Sequence, residues 1–489
     1  MFIVMVSTEC APVAKVGGLG DVVQGLSREL SVRGHAVEVI LPMYDCMRYD
    51  RIWGLTKTYS DLWVPFHDHA IHCDVYFGFA DGVKCFFIQP HSQHNFFNRG
   101  LFYGNRDDAE RFAFFSRAAL EFMLKSGKRP DVIHCHDWQT GLVPVLLFET
   151  YQHLGMAGQR VCYTLHNLRH QGVCGAHILR QAGLSPDRLM TPERLLDHTH
   201  RDAANLMKGG IVYANFVTTV SPRYAEEILT TGQGFGLQGT LATHRGKYGG
   251  VLNGIDYNVW NPEIDSALPQ PYGPDAIAGK FADKKALRDR LLLADHFRPV
   301  VAVVSRLDHQ KGLPLIRHSI FYSLANRAQF VLLGSGAEAS INAHFWDLKH
   351  HLNDNPDCHL EIGYDEHLSH LIYAGADILV VPSVFEPCGL SQMIAMKYGT
   401  VPVVRATGGL ADTVFDANYA DRPYHDRTGF TFEHNDVPGL ESALGRAIGL
   451  WYRYPRYFHE IRLNGMRQDF SWNHPGGHYE NIYHHIRAK

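Results

Sequence analysis

Short apolar runs recur along this chain, each ending in a loop that carries glycine or charge, each followed by a helical stripe. This recurrence restricts the chain to a layered α/β architecture. Near the N-terminus, Phe2-Ile3-Val4-Met5-Val6 leads into Lys15-Val16-Gly17-Gly18-Leu19-Gly20-Asp21. Near the middle, Val300-Val301-Ala302-Val303-Val304 leads into Ser305-Arg306-Leu307-Asp308-His309-Gln310-Lys311-Gly312. Both segments share one plan: strand, loop with cation and glycine, helix. Behind the first loop, Asp21 caps a helix whose Val22, Val23, Leu26 and Leu30 fall at helical spacing, and Gly34 ends it. Residues 36–41 form the next strand. Strand, helix and strand make a βαβ unit, which has parallel strands and a right-handed crossover. A chain that builds this plan twice is suited to hold something anionic with two similar domains.

At 489 residues the chain exceeds one ordinary core, and two or three domains are expected. In the first part, strands are predicted at 132–136, 161–165 and 216–220, with an irregular aromatic stretch over roughly 50–105. The stretch 256–298 breaks the rhythm with Trp260-Asn261-Pro262, Pro269, Pro271 and Pro274, and reads as an interdomain connection. Beyond it, strands at 300–304, 329–333, 358–362, 377–381 and 401–404 alternate with helical patterns, which predicts a doubly wound α/β domain. After about 450 the pattern is helical, aromatic, basic and histidine-rich.

Composition narrows the function. A net charge of −4 provides no general field for nucleic acid or an anionic membrane. An anionic ligand must therefore be held by local cations and backbone N–H groups. Nine scattered cysteines without a Cys-x-x-Cys pair read as reduced thiols in a cytosol-like compartment. The N-terminal apolar run lacks a basic flank and is too short for a signal peptide, and no apolar stretch reaches transmembrane length. His134-Cys135-His136 places two imidazoles on one strand face, as a metal clip would, but no third ligand stands at a recognisable spacing. Ordinary strand-end histidines are the simpler reading.

In open parallel sheets the working loops follow the strands. Gly17-Gly18-x-Gly20 at a helix start lets N–H groups approach an anion, with Lys15 adding charge; taken singly it reads equally as a glycine turn. It lacks the third glycine of a dinucleotide fingerprint and the Gly-Lys-Ser/Thr of a P-loop. Gly334-Ser335-Gly336-Ala337-Glu338-Ala339 fits G-x-G-x-x-A better, as a nucleotide loop or as a plain strand-to-helix turn. Arg306 and Lys311, five residues apart across one loop, are placed to converge on a diphosphate, guanidinium as fork and ammonium as point charge. Glu386 lies in Pro382-Ser383-Val384-Phe385-Glu386-Pro387-Cys388-Gly389-Leu390, where flanking prolines fix the backbone of a carboxylate suited to sugar hydroxyls; a helix-start acid is the alternative. Thr407-Gly408-Gly409-Leu410 is a second helix-start anion site. Cys388 has no paired base in sequence and reads as a packed or ligand-contacting thiol.

Assembled, these segments resemble the bacterial glycogen synthase and plant starch synthase family. The resemblance rests on Lys15-Val16-Gly17-Gly18-Leu19-Gly20-Asp21, His136-Asp137-Trp138-Gln139-Thr140, Thr164-Leu165-His166-Asn167 and Asn253-Gly254-Ile255-Asp256. It continues through Ser305-Arg306-Leu307, Gln310-Lys311-Gly312, Phe385–Leu390 and Thr407–Leu410, in the family's order. Phe96-Phe97-Asn98-Arg99-Gly100, Tyr103-Gly104 and Arg111-Phe112 resemble the cyanobacterial and plant type III/IV branch. The resemblance implies an α/β, GT-B type fold of two Rossmann-like doubly wound domains facing across a cleft. Its expected parts are residues 1–255, residues 256–464 with the linker, and a helical segment 465–489 returning to the first domain. The implied reaction moves glucose from a nucleotide sugar, usually ADP-glucose, to the 4-hydroxyl of an α-1,4-glucan or maltooligosaccharide end. The anomeric configuration is retained, and no metal or other cofactor is required.

The site residues follow from the resemblance. Glu386, His166, Asp137 and Lys15 are the implied catalytic set. Lys15, Gly17, Gly18, Asp21 and Asn253 are implied binding residues of the first domain. Arg306 and Lys311 hold the diphosphate, helped by Thr407, Gly408, Gly409 and Leu410; Cys388, Gly389 and Leu390 flank the glucosyl site, and Tyr364 packs on the base. A same-face transfer, in which the leaving phosphate takes the acceptor proton, needs no protein base and is favoured over a Glu386 nucleophile. Val384 stands where bacterial enzymes often carry a basic residue, and Arg169-His170 where small and aromatic residues are common. The alternatives are a related transferase using UDP-glucose, a noncatalytic glucan-binding relative, and a nicotinamide dehydrogenase resting on Gly334-Ser335-Gly336 alone. The family setting is the cytoplasm of a bacterium or the plastid stroma of a plant or alga.

Overall fold

The structure is a computed structural model that describes residues 1–489. It divides into two compact units, Met1–Gly254 with Trp472–Lys489, and Ile255–Ser471.

Unit 1 is built on a nine-stranded sheet. Its strands are β1 (Phe2–Val6), β2 (Ala36–Pro42), β3 (Ile52–Phe66), β4 (His69–Ala80), β5 (Val83–Pro90), β6 (Val132–His136), β7 (Arg160–Leu165), β10 (Phe216–Thr219) and β11 (Tyr248–Gly250), while β8 (Val173–Gly175) and β9 (Ala203–Asn205) pair separately. The order is β11-β10-β7-β6-β1-β2-β5-β4-β3. The strands from β11 to β5 are parallel, and β4 and β3 extend that edge antiparallel. The irregular aromatic stretch expected over 50–105 is thus largely this antiparallel ribbon. The central strands read as unbroken apolar runs because helices cover both faces.

The chain leaves β1 toward β2 on one side and returns to β6 on the other, so β1 and β6 flank a topological switch point. The C-terminal helix Asn473–Arg487 belongs to this unit and buries Tyr479, Tyr483 and Ile486. Arg33 grips the start of this helix through the Asn473 side chain at 2.9 Å, and His35 Nε2 lies 3.0 Å from Glu480. Gly25 is required there: a Cβ would sit 2.0 Å from the Trp472 indole nitrogen. The crossing back starts at Trp472 rather than near 465, because the helix Pro455–Arg467 still packs within unit 2.

Unit 2 carries six parallel strands, β12 (Val300–Val304), β13 (Gln329–Gly334), β14 (Cys358–Ile362), β15 (Ile378–Val381), β16 (Val401–Arg405) and β17 (Phe430–Phe432). Their order, β14-β13-β12-β15-β16-β17, is the doubly wound arrangement, with its switch point between β12 and β15. The stretch 256–298 is more than a connection and belongs to this unit. It contains the helix Ala278–Leu291, whose buried face mixes Gly279, Lys280 and Asp283 with Leu287 and Leu291. Lys280 Nζ donates to the carbonyls of Ala374 and Tyr398 and to Thr400 Oγ1, at 2.8 to 2.9 Å. A buried face this polar gives no apolar stripe, which is why the helix is not announced in the sequence.

Candidate active site

In unit 2 the loops after β12 and β15 meet at the switch point. Val384 N donates to Gln310 O at 2.8 Å. Gly312 has a positive φ of 75°, and a Cβ there would lie 2.2 Å from Pro382 O, so only glycine fits. This contact carries Lys311 to Glu386, with Nζ 2.6 Å from Oε2. Ser383 Oγ donates to the same oxygen at 2.8 Å. Glu386 is buried and Lys311 largely so, which strengthens their attraction relative to an exposed pair.

The helix Gly408–Thr413 closes on the same loop. A Cβ at Gly408 would stand 1.9 Å from Glu386 O, and one at Gly409 2.1 Å from Cys388 O. These glycines therefore serve close backbone approach. Gly409 N donates to Glu386 O at 3.1 Å, and Leu410 N to Thr407 O at 3.1 Å. In this conformation the Gly409 N–H holds the backbone at Glu386, and the Leu410 N–H closes the first turn of its own helix on Thr407. Cys388 is buried, and Gln392 Nε2 donates to the carbonyls of Cys388 and Gly389. Arg306 extends into solvent with Asp308 at 3.5 Å. Tyr364 is 79% exposed, and its hydroxyl reaches Glu366 at 3.3 Å.

In unit 1, the loop after β1 is organised by Glu9, a residue the motifs do not single out. Its Oε2 accepts from Val16 N at 2.7 Å and Gly17 N at 3.0 Å. Its Oε1 accepts from Tyr103 at 2.8 Å, whose hydroxyl also lies 2.8 Å from Thr8 Oγ1. Burial pushes the Glu9 carboxyl up, and the nearby Asp21 adds to the shift against those hydrogen bonds. The Gly17 N–H expected to meet the donor is therefore engaged by Glu9. Lys15 Nζ pairs with Asp21 at 2.8 Å, both partly exposed. Gly18 opens the helix Gly18–Val32. The signal for Glu9 was its position, a carboxylate just beyond the strand at the switch point.

After β6, Asp137 adopts φ 55° and ψ −177°, a region nearly confined to glycine. Holding a side chain there costs roughly 1–3 kcal/mol. Its Oδ1 accepts from His166 N at 2.7 Å, tying the ends of β6 and β7 together. Burial raises its carboxyl to about 7. Burial lowers His166 to about 3, so the ring is neutral. His166 Nε2 lies 3.1 Å from His136 Nδ1, while His136 Nε2 is buried without a partner. A lone acceptor is the cheaper orphan, so the proton belongs on His136 Nδ1, which donates to His166 Nε2 and leaves His166 with its N–H at Nδ1.

The metal-clip reading of His134 and His136 is replaced by hydrogen bonding. His134 Nδ1 meets Tyr483 Oη at 2.7 Å and Nε2 meets Thr164 Oγ1 at 2.6 Å. Asn253 is buried with Oδ1 unpartnered. The Gly334-x-Gly336 segment also has a packing explanation. Cβ atoms there would stand 2.2 Å from Ser305 O and 2.6 Å from Leu307 O, and Gly336 N already donates to Asn342 Oδ1 at 2.8 Å.

Comparison with known proteins matches this geometry. Residues 2–243 match the starch synthase catalytic domain model, and residues 285–451 the glycosyl transferases group 1 model. The chain is 68% identical over 487 residues to glycogen synthase 1 of Nitrosococcus oceani, covering all of both chains. It is 59% identical over 491 residues to glycogen synthase 1 of a Synechococcus species, again covering all of both. The solved catalytic domain of starch synthase IV from Arabidopsis thaliana, bound to ADP and acarbose, superposes with a TM-score of 0.98 at 43% identity, covering 100% of this chain and 99% of that one. Two Rossmann-like units and relatives matching from end to end place this chain in the glycogen and starch synthase family of glucosyltransferases.

Proposed function

We propose that the chain transfers glucose from ADP-glucose to the 4-hydroxyl at the non-reducing end of an α-1,4-glucan, retaining the α configuration. The observation that carries this reading is the Lys311–Glu386 pair at the switch point of unit 2, a cation and a carboxylate fixed together where a doubly wound sheet takes its ligand. The ADP held by the Arabidopsis starch synthase IV structure supports adenine as the base.

Cleaving a glycosyl diphosphate builds negative charge on the leaving group and positive charge on the sugar ring. Lys311 has three N–H donors and spends one on Glu386, so the others serve the departing phosphate, with Arg306 beside it. That benefit grows as the bond breaks, which is the condition for faster chemistry and not merely tighter binding. Glu386, its Oε2 held by Lys311 and Ser383, acts as an electrostatic and positioning group for the glucosyl unit. The C1–O bond to phosphate breaks, the C1–O4 bond to the acceptor forms, and the O4 proton passes to the leaving phosphate on the same face. Lys15, Asp21, Gly17, Gly18 and Asn253 serve the donor from unit 1. Asp137 and the neutral His166 serve the sugar and acceptor, His166 through its Nδ1–H. Gly408 and Gly409 act on the donor through the Glu386 loop they hold. Thr407, Leu410, Cys388, Gly389 and Leu390 complete that lining, and the exposed Tyr364 covers the base.

Glucose incorporation into glycogen and short maltooligosaccharides, with ADP-glucose beside UDP-glucose, tests the reading. Preferential incorporation from ADP-glucose is expected. Preference for UDP-glucose would overturn the donor assignment, and incorporation from neither would overturn the function.

A further inference from the structure

β15 ends toward Glu386, and at its opposite end Asp377 marks a second place where charge is concentrated. A cavity of about 460 Å³ opens beside Asp377, within the size range of small-molecule sites. Its polar floor is unbalanced. Asp377 is buried, with Oδ2 2.6 Å from Lys284 Nζ and 2.9 Å from Val300 N, and Oδ1 2.9 Å from Arg462 Nη2. One carboxylate thus answers two cations. The other charges of the lining are spoken for: Arg288 holds Asp295, Arg298 holds Asp357, and Lys285 holds Asp289. Arg462 is only 4% exposed, yet its Nε is buried with no hydrogen-bond partner. Lys284 is the more exposed of the two cations that share Asp377.

The outer wall is aromatic. Phe297 is 81% exposed, and its ring centroid lies 4.8 Å from that of Trp451 at an interplanar angle of 42°. Lys284 Nζ stands 5.2 Å from the Trp451 ring, so cation and ring surface adjoin. The two rings together form a wall against which the apolar face of a sugar or a base packs.

We propose that this pocket binds a phosphate monoester whose organic part presents a ring face, a sugar phosphate or a nucleoside monophosphate. The phosphate takes the surplus charge shared by Lys284 and Arg462. The ring lies on Phe297 and Trp451. The site is separate from the Lys311–Glu386 pair, since the two lie at opposite ends of β15, and it stands whether or not the donor reading above is right.

Titrating the full chain with glucose 1-phosphate, AMP and inorganic phosphate, followed by tryptophan fluorescence and calorimetry, tests it. Saturable binding of at least one ring-bearing phosphate, tighter than inorganic phosphate, is expected, and which of the two binds identifies the ring. Lys284→Met removes one of the two cations and leaves Arg462 facing Asp377, and Phe297→Ala removes only an exposed ring. Each is expected to weaken binding by about tenfold or more, while Lys311→Ala leaves it unchanged. Three outcomes would overturn the proposal: no saturable binding of either ring-bearing phosphate, binding no tighter than that of inorganic phosphate, or binding lost in Lys311→Ala and kept in Phe297→Ala.

Discussion

Lys311 Nζ lies 2.6 Å from Glu386 Oε2, and the two side chains reach each other only because Gly312 lets the β12 loop press against Pro382. The pair is therefore a structural tie between two strand ends, and in the proposed reaction it is also the chemical centre of unit 2. Removing one partner leaves the other buried without its counter-charge. Lys311→Met is expected to cost about 3 kcal/mol of stability. Glu386→Gln should cost less, since its amide oxygen still accepts from Lys311. Urea unfolding of the two variants checks the order; equal stability of Lys311→Met and wild type would remove the tie.

The Lys15–Asp21 pair is partly exposed, so it contributes little to folding. Lys15→Ala should change stability by about 0.5 kcal/mol or less. Donor kinetics should nevertheless fall strongly. Near-normal kcat/KM for the nucleotide sugar would take Lys15 out of the donor site.

Gly409→Ala places a methyl group 2.1 Å from Cys388 O and threatens the bond from Gly409 N to Glu386 O. The expected cost is roughly 1–3 kcal/mol. Activity should fall further than that destabilisation explains, because the backbone that aims Glu386 moves. Full activity at saturating donor would show that the loop position is not critical.

Burial holds His134 and His166 near 3, against an ordinary 6.5. Between those values the unfolded chain binds more protons than the folded one. Their contribution is therefore complete above about 6.5 and is lost as pH falls toward 3. Asp137, raised to about 7 from 3.8, runs the other way and loses its contribution as pH rises through 7. His134→Gln keeps a partner for Thr164 without titrating. Its unfolding free energy should depend on pH less steeply between 6.5 and 4, by up to roughly 1.4 kcal/mol per pH unit. Identical slopes in urea titrations of variant and wild type would contradict the neutral-histidine account.

Much of this was legible in the chain. Apolar runs such as 300–304 and 132–136 are strands because both faces are covered, and their loops carry the residues the structure gathers. Lys311 and Glu386, which the structure pairs, stand just after strands, where the sequence directs attention. Glu9 was not singled out, because its work is to bind Val16 and Gly17 N–H groups from seven and eight residues away, a relation that no periodicity encodes. The helix Ala278–Leu291 was hidden by its buried Lys280 and Asp283. The glycines at 408 and 409 were visible, but their reason was not. They read as an anion cradle, and in the structure they are also places where one backbone crosses another.

The most direct test is the initial rate of glucose transfer from ADP-glucose to glycogen by the wild-type protein, measured beside Glu386→Gln. The account predicts transfer with retained α configuration by the wild type and a loss of about 100-fold or more in the variant. A wild type that transfers no glucose, or a Glu386→Gln protein that keeps most of its rate, would contradict it.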